Sequence, residues 1–120
     1  METTRQLKIA RLIQKDLSDI FLNYIRSLQS TTQGESLGGV LVSVSEVRIS
    51  PDLAIAHVYL SIFPDAKAPV IMHHIEADKG KIRGQLGSLE RHQLRIIPEL
   101  IFHLDDTITH MEHIDRLLHG

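Results

Sequence analysis

The residues best suited to bind a ligand are basic side chains that recur at helical spacing near the N-terminus. Arg5, Lys8, Arg11 and Lys15 follow one another at steps of three or four, which places them on one face of a helix. Such a row can contact phosphates of a nucleic acid and release the counterions bound there. The same pattern is typical of an ordinary solvated helix face, so by itself it does not establish nucleic-acid binding.

Further basic residues are expected at a kink between two predicted helices in the second half of the chain. Lys79, Lys81 and Arg83 form a cluster at this kink, and Arg48, Arg91 and Arg95 are expected near it. The chain as a whole is nevertheless slightly acidic, with 13 Lys and Arg against 15 Asp and Glu and a formal net charge of -2. Nucleic-acid-binding domains are usually basic, so RNA binding would require this chain to segregate its charges.

Catalytic and metal chemistry have little support. His110 and His113 lie one helical turn apart, but two His without a third ligand make a weak metal site, so we interpret them as surface residues. The chain has no Cys, which excludes disulfides and thiolate ligands and suits a reducing cytoplasm. No phosphate-binding loop, dinucleotide fingerprint or triad spacing is present. We therefore expect neither an enzyme nor a cofactor.

Length and hydropathy favour one compact domain over residues 1–120. A chain of 120 residues with 42% hydrophobic content can bury one core but is too short for two ordinary domains. It contains no uninterrupted signal-peptide core and no run near the roughly 20 apolar residues of a membrane span. We expect a soluble cytoplasmic protein.

The first half of the chain predicts a helix followed by a β-hairpin. Apolar residues recur at helical spacing from about Thr3 to Gln29, and the polar segment from Ser27 to Gly39 predicts a loop. Two alternating segments, from about Val40 to Ile49 and from Leu53 to Phe63, predict antiparallel strands around a short turn. The apolar parity changes within the first strand, which predicts a bulge near Ser45 and Glu46.

The second half predicts helix, helix, strand and a last helix. The expected bounds are Pro69 to Asp78, Lys81 to Leu94 and Ile96 to Leu104, with the last helix following Asp105 to Thr107. Gly80 is expected to permit left-handed geometry where the first of these helices ends. A literal GXXG occurs from Gly84 to Gly87, but it interrupts the apolar period of a helix, and we reject it as a phosphate-binding loop.

Several motifs resemble the ribosome-binding factor A family along nearly the whole chain. The turn Ser50-Pro51-Asp52-Leu53 precedes Ala56-His57-Val58-Tyr59-Leu60-Ser61, and Arg95-Ile96-Ile97-Pro98-Glu99-Leu100-Ile101-Phe102 matches the Arg-x-x-Pro-Glu-Leu-x-Phe pattern of that family. The resemblance covers Arg5 to Leu118. It implies an α+β fold, a type II KH-like domain of order αββααβ with a three-stranded sheet, followed here by a C-terminal helix.

The resemblance also implies a function. Members of the family bind the immature 30S subunit and assist late maturation of its 16S rRNA precursor, with help from an assembly GTPase and a link to cold adaptation. Carried onto this chain, the RNA-binding residues would be the basic residues above together with Gly80 at the kink between the central helices. The family usually has Ala-x-Gly there, whereas this chain has Asp78-Lys79-Gly80, which adds a negative charge. We expect a monomer.

Two alternatives stay open on the residues themselves. The acidic net charge also suits a small α+β module that dimerises through its sheet or long helix and does not bind RNA. Tyr59 lies on the strand face opposite Val58, where an exposed aromatic ring could stack on a nucleotide base or simply belong to the core.

Overall fold

A computed structural model describes residues 3–31 and 39–105 of the chain. The elements follow the order helix, strand, strand, helix, helix, strand, as the sequence predicts. They are α1 (Thr4–Thr31), β1 (Leu41–Ile49), β2 (Ile55–Phe63), a 3-10 turn (Asp65–Lys67), α2 (Ala68–Ala77), α3 (Lys79–Glu90) and β3 (Glu99–Leu104). The predicted C-terminal helix, with His110 and His113, lies outside the described residues.

The start of α1 is fixed by reciprocal hydrogen bonds. The Thr3 amide donates to Gln6 Oε1 at 2.8 Å, and the Gln6 amide donates to Thr3 Oγ1 at 3.2 Å, which satisfies two amides that a helix start leaves unpaired. Gln6 Nε2 also donates to the Ile49 carbonyl at 2.9 Å and ties the helix to the end of β1. The helix continues to Thr31, so the loop predicted from Ser27 begins too early.

The sheet has the order β1-β2-β3, with β1 antiparallel and β3 parallel to the central β2. The register shifts between Val44 and Glu46, which confirms the predicted bulge at Ser45. Pro98 lies directly before β3, where its missing N–H costs no ladder hydrogen bond. The parallel pairing of β2 and β3 requires a long crossover, and α2 and α3 provide it.

The core lies between the helices and one face of the sheet. Alternate residues of β2, from Ala56 to Ile62, face α1 and are almost fully buried. Phe21 of α1 packs edge-to-face on Phe102 of β3 with ring centroids 5.8 Å apart. Two apolar side chains at the helical period, which predicts that they face inward, are not buried: Val70 of α2 is 37% exposed and Leu89 of α3 is 55% exposed.

The connection between α2 and α3 differs from the expectation. Asp78 leaves helical geometry with φ -101° and ψ 13°, and α3 begins at the next residue. Gly80 is therefore part of the first turn of α3, and a Cβ added to it would meet no atom within 4 Å. The predicted left-handed glycine is wrong, because Asp78 makes the kink. The rejected GXXG lies inside α3, which confirms that it is not a loop.

Glu90, at the end of α3, is the one charged residue among the described residues whose side chain is fully buried. Burial raises its pKa to about 8, and the charge of the adjacent Asp16 of α1 adds to the rise. Neither Glu90 oxygen has a hydrogen-bond partner within the described part of the chain. The buried carboxyl group is therefore protonated and neutral at pH 7.

We predict that Glu90→Gln removes a pH dependence of stability. Between its ordinary value of 4.5 and about 8, folded Glu90 keeps a proton that the unfolded chain releases, so stability falls as pH rises through this window. At pH 9 the variant should be more stable than the parent by about 1–2 kcal/mol. At pH 4.5 the difference should be small. Urea unfolding at pH 4.5, 7 and 9 measures this.

The matched control for this test is Glu76→Gln, which changes an exposed carboxylate on α2. It should leave the shape of the pH profile unchanged. Parallel profiles for Glu90→Gln and the parent would contradict the raised pKa of Glu90.

Candidate nucleic-acid interface

The turn between β1 and β2 is held in one conformation by its own polar groups. Asp52 Oδ1 accepts hydrogen bonds from Ser50 Oγ at 2.6 Å and from the Ala54 amide at 3.1 Å. The Leu53 amide donates to the Ser50 carbonyl at 2.9 Å. These bonds hold Leu53 at φ 61°, a left-handed conformation that costs a side-chain-bearing residue about 1–2 kcal/mol. The hydrogen bond from Ser50 Oγ also lowers the pKa of Asp52, which is ionised at neutral pH.

This turn forms one wall of a groove of about 620 Å³. The first turns of α1 form a second wall, and the segment between α3 and β3 forms the third. The lining residues are Arg5, Lys8, Ile9, Leu12, Asp52, Leu53, Ala54, Gln93, Leu94, Arg95, Ile96 and Pro98. We call this feature the N-terminal groove.

The N-terminal groove brings three predicted phosphate-binding residues together. Arg5 and Lys8 come from α1, and Arg95 comes from a segment that is 87 residues later than Lys8 in the chain. All three are exposed, and no carboxylate within residues 3–31 and 39–105 forms an ion pair with them. Three cations without carboxylate partners around a concave surface create a local positive potential despite the acidic net charge.

Arg11 and Lys15 extend the basic row along α1 beyond this groove. Both are exposed, on the side of the helix opposite the buried Ile13 and Leu17. An RNA strand whose phosphates bind in the N-terminal groove could therefore continue along the exposed face of α1.

The three basic residues near the kink do not form one surface. Successive residues of a helix turn by 100°, so Lys81 lies on nearly the opposite side of α3 from Lys79 and Arg83. Lys79 is half-buried, with its ammonium 6.0 Å from the centre of the Phe102 ring. Lys81 is exposed to solvent.

Arg83 has a structural role at the segment before β3. Its Nη2 donates to the Ile97 carbonyl at 2.7 Å and its Nε donates to the Pro98 carbonyl at 3.1 Å. These bonds hold the segment that carries Arg95 at the edge of the N-terminal groove. Arg83 thus contributes to the interface through its neighbours.

The Asp78 carboxylate at the kink accepts a hydrogen bond from α1. Tyr24 donates its hydroxyl proton to Asp78 Oδ2 at 2.7 Å, and burial together with this carboxylate raises the pKa of Tyr24. Tyr24 is 19 residues beyond Arg5 in α1, and a helix rises 1.5 Å per residue, so the kink lies about 28 Å from the N-terminal groove. The start of α3 is therefore remote from the N-terminal groove, whereas Arg83, further along α3, contacts the segment at the edge of the groove.

Arg48 and Arg91 lie outside the N-terminal groove. Arg48 is on the sheet face away from the helices, and its Nε is 3.0 Å from Glu46 Oε1. Arg91 is exposed in the turn that follows α3.

The sheet face away from the helices carries a stack of three rings. His103 of β3 stacks on Tyr59 at 4.9 Å and on His57 at 5.1 Å between ring centroids. His57 Nδ1 and His103 Nε2 are 2.9 Å apart, within hydrogen-bond distance. Tyr59 is therefore not part of the core and belongs to this half-exposed stack.

Within residues 3–31 and 39–105, no group of three or more His, Cys, Asp or Glu side chains is placed to hold a metal ion. In the same residues, no helix combines the length and the apolar character needed to cross a membrane.

Comparison with known proteins relates this chain to one family. The family model described as ribosome-binding factor A matches residues 5–118. The chain belongs to the ribosome-binding factor A family. It is 40% identical to the ribosome-binding factor A of Christiangramia forsetii over 119 residues, 99% of this chain and 86% of that protein. It is 42% identical to that of Flavobacterium psychrophilum over 120 residues, 100% of this chain and 87% of the relative.

A solved structure supports the fold. The crystal structure of ribosome-binding factor A from Thermus thermophilus aligns with a TM-score of 0.58 at 18% identity, and covers 82% of this chain and 94% of that one. The fold is thus the KH-like α+β fold predicted from the motifs. The family consists of binding proteins and not enzymes, which agrees with the absence of catalytic motifs in the sequence.

Sequence reasoning missed most of the residues that line the N-terminal groove. It identified the three cations but gave no binding role to Asp52, Leu53, Leu94 or Ile96. A signal was available, because the Ser50-Pro51-Asp52-Leu53 turn and the Arg95 motif both carry the family resemblance. Nothing in the linear spacing, however, indicates that these two segments meet.

We predict that Arg83→Ala lowers the free energy of unfolding by about 1–3 kcal/mol, because it removes two bonds from a charged donor to carbonyl oxygens. Lys81→Ala removes the same charge two residues away and should change stability by less than about 0.5 kcal/mol. Urea unfolding of the two variants measures this. Equal stabilities would show that Arg83 has no structural role.

Proposed function

We propose that this protein is a ribosome assembly factor that binds the immature 30S subunit through its 16S rRNA precursor, without catalysing a reaction. The observation that carries the proposal is the convergence of Arg5, Lys8 and Arg95, none with a carboxylate partner in the described part of the chain, around one groove. Family membership supports the choice of ribosomal RNA as the ligand.

Phosphate contact explains how a slightly acidic protein can bind RNA. The Glu90 carboxyl group is buried and its pKa is raised to about 8, so the surface carries less negative charge than a count of residues suggests. The exposed row of α1 and the N-terminal groove then form a local basic surface. RNA binding depends on this local potential and not on the net charge of -2.

A factor of this kind acts by differential affinity. It stabilises the rRNA conformation that it binds better, by the difference between its binding free energies for two conformations. We propose that it favours a precursor conformation suited to late processing, as a cytoplasmic monomer, and that an assembly GTPase promotes its release. The same mechanism suits growth at low temperature, where unproductive RNA conformations persist longer.

The decisive measurement compares two double variants of equal net charge. Arg5→Ala/Arg95→Ala removes two cations from the N-terminal groove, and Arg26→Ala/Lys67→Ala removes two cations elsewhere. At ~0.7 counterions per phosphate contact, the groove variant should bind isolated 30S subunits about 25-fold more weakly at 0.1 M salt. Its slope of log affinity against log salt should fall by about 1.4, and the control should change little.

Two further arms complete this experiment. Binding to mature ribosomes, measured in parallel, shows whether the protein discriminates free subunits. Lys79→Ala/Lys81→Ala tests the kink. If only the kink variant loses affinity, the RNA contact lies there and the groove assignment is wrong. If the parent does not bind 30S subunits even at low salt, the proposed function fails.

A second candidate function is a protein contact through the sheet. Leu41 and Phe63 form a cross-strand pair, and each is 65% exposed. Such a pair is typical of a protein-binding surface. Sedimentation that shows a dimer insensitive to salt and disrupted by Phe63→Ser would favour this function.

A further inference from the structure

The N-terminal groove contains more than phosphate binding requires. Beneath its cations lie apolar side chains from three segments, among them Leu12, Leu53 and Ile96. Ile96 is 73% exposed, which is unusual for a large aliphatic side chain at the edge of a concave site. Phosphate groups make no favourable contacts with apolar side chains. A nucleotide base does, because the faces of its planar ring are apolar.

The size of the groove suits one nucleotide. Its volume of about 620 Å³ falls within the range of about 300–1,000 Å³ for sites that hold small molecules. A double-helical segment could only touch the opening of a site this small. An unpaired nucleotide could enter it, with its phosphate left among the cations.

Asp52 gives this groove a polar group that repels phosphate. Both of its hydrogen bonds within the turn go to Oδ1, so Oδ2 can still accept a hydrogen bond. Asp52 forms no ion pair with the cations of the groove within the described residues. A carboxylate placed beside a base is a specific acceptor for an amino group, as in the contact of Asp with the N4 amino group of cytosine.

The position of Asp52 is fixed before any ligand arrives. The turn bonds hold its carboxylate, and they also hold Leu53 in the left-handed conformation beside it. Backbone strain of this kind often occurs at ligand sites, where a fixed geometry reduces the cost of ordering on binding.

We propose that the N-terminal groove holds one unpaired nucleotide of the bound RNA, and that Asp52 selects a base with an exocyclic amino group. The phosphate lies against Arg5, Lys8 and Arg95, and the base lies on the apolar side chains. Adenine, cytosine and guanine have such an amino group. Uracil has only one ring N–H, flanked by two carbonyl oxygens that repel a carboxylate. This inference rests on the proposed function and adds base selection to it.

The test uses fluorescent RNA octamers of adenosine, cytidine or uridine, with binding followed by fluorescence anisotropy at low salt. The parent should bind the adenosine and cytidine octamers about 10-fold more tightly than the uridine octamer, which corresponds to one hydrogen bond to a charged group. Poly-aspartate of equal charge serves as a competitor without bases and should compete poorly.

Two variants separate base selection from charge and from folding. Asp52→Asn keeps an oxygen for the bonds to Ser50 and Ala54 but adds an amide donor that uracil can use. It should bind all octamers somewhat more tightly and reduce the 10-fold preference to less than about 2-fold. Ile96→Ser should weaken binding of the adenosine octamer about fivefold. The control Leu22→Ser changes an exposed apolar residue of α1 outside the groove, 54% exposed, and should have no effect.

Each other outcome has a defined meaning. If the parent binds 30S subunits but shows no preference among octamers, or if Asp52→Asn keeps the preference, base selection by Asp52 is overturned while the proposed function stands. If poly-aspartate competes as well as RNA, the groove binds any polyanion through charge alone and the inference fails. If neither subunits nor octamers bind, the proposed function itself is wrong.

Discussion

The packing of α1 against the inner face of the sheet is the interaction on which the rest of the structure depends. Side chains such as Ile13, Leu17 and Phe21 are fully buried, and each contributes about 1.5–3 kcal/mol through the surface it removes from water. The same packing sets the position of the exposed face. Because the buried face of α1 must meet the sheet, Arg5 and Lys8 are placed beside the β1–β2 turn, and Gln6 locks this arrangement through the Ile49 carbonyl.

The crossover from β2 to β3 completes the site from the other side. A parallel strand pair needs a long connection, and here α2 and α3 return the chain to the edge of the N-terminal groove. Arg83 then donates hydrogen bonds to carbonyl groups of the segment before β3. These bonds hold the segment that carries Arg95 and so set the position of that residue. A residue predicted as an RNA ligand thus also holds the segment that carries another predicted ligand.

Charge is distributed so that a net acidic chain presents a basic surface. Burial keeps the Glu90 proton near neutral pH, and Tyr24 binds the Asp78 carboxylate at the kink. Asp52 is the exception, since its carboxylate is exposed within the basic groove and held there by the turn. An acidic group among cations opposes simple phosphate binding, and the proposed base selection would give the free oxygen of Asp52 a role beyond the turn.

The sequence by itself determined the order of the elements, the bulge at Ser45 and the family, because these depend on local periodicity, parity and contiguous motifs. It placed the cations on exposed faces for the same reason. Only the tertiary structure decided which of them lie together. It places Lys81 on the opposite side of α3 from Lys79 and Arg83, and it brings Arg5 and Arg95 to one groove. It also decided that Glu90 of α3 is buried in the core and that the neighbouring Leu89 is exposed. Periodicity fixes which face of a helix is buried only to within one residue, and it carries no information about which distant segments meet.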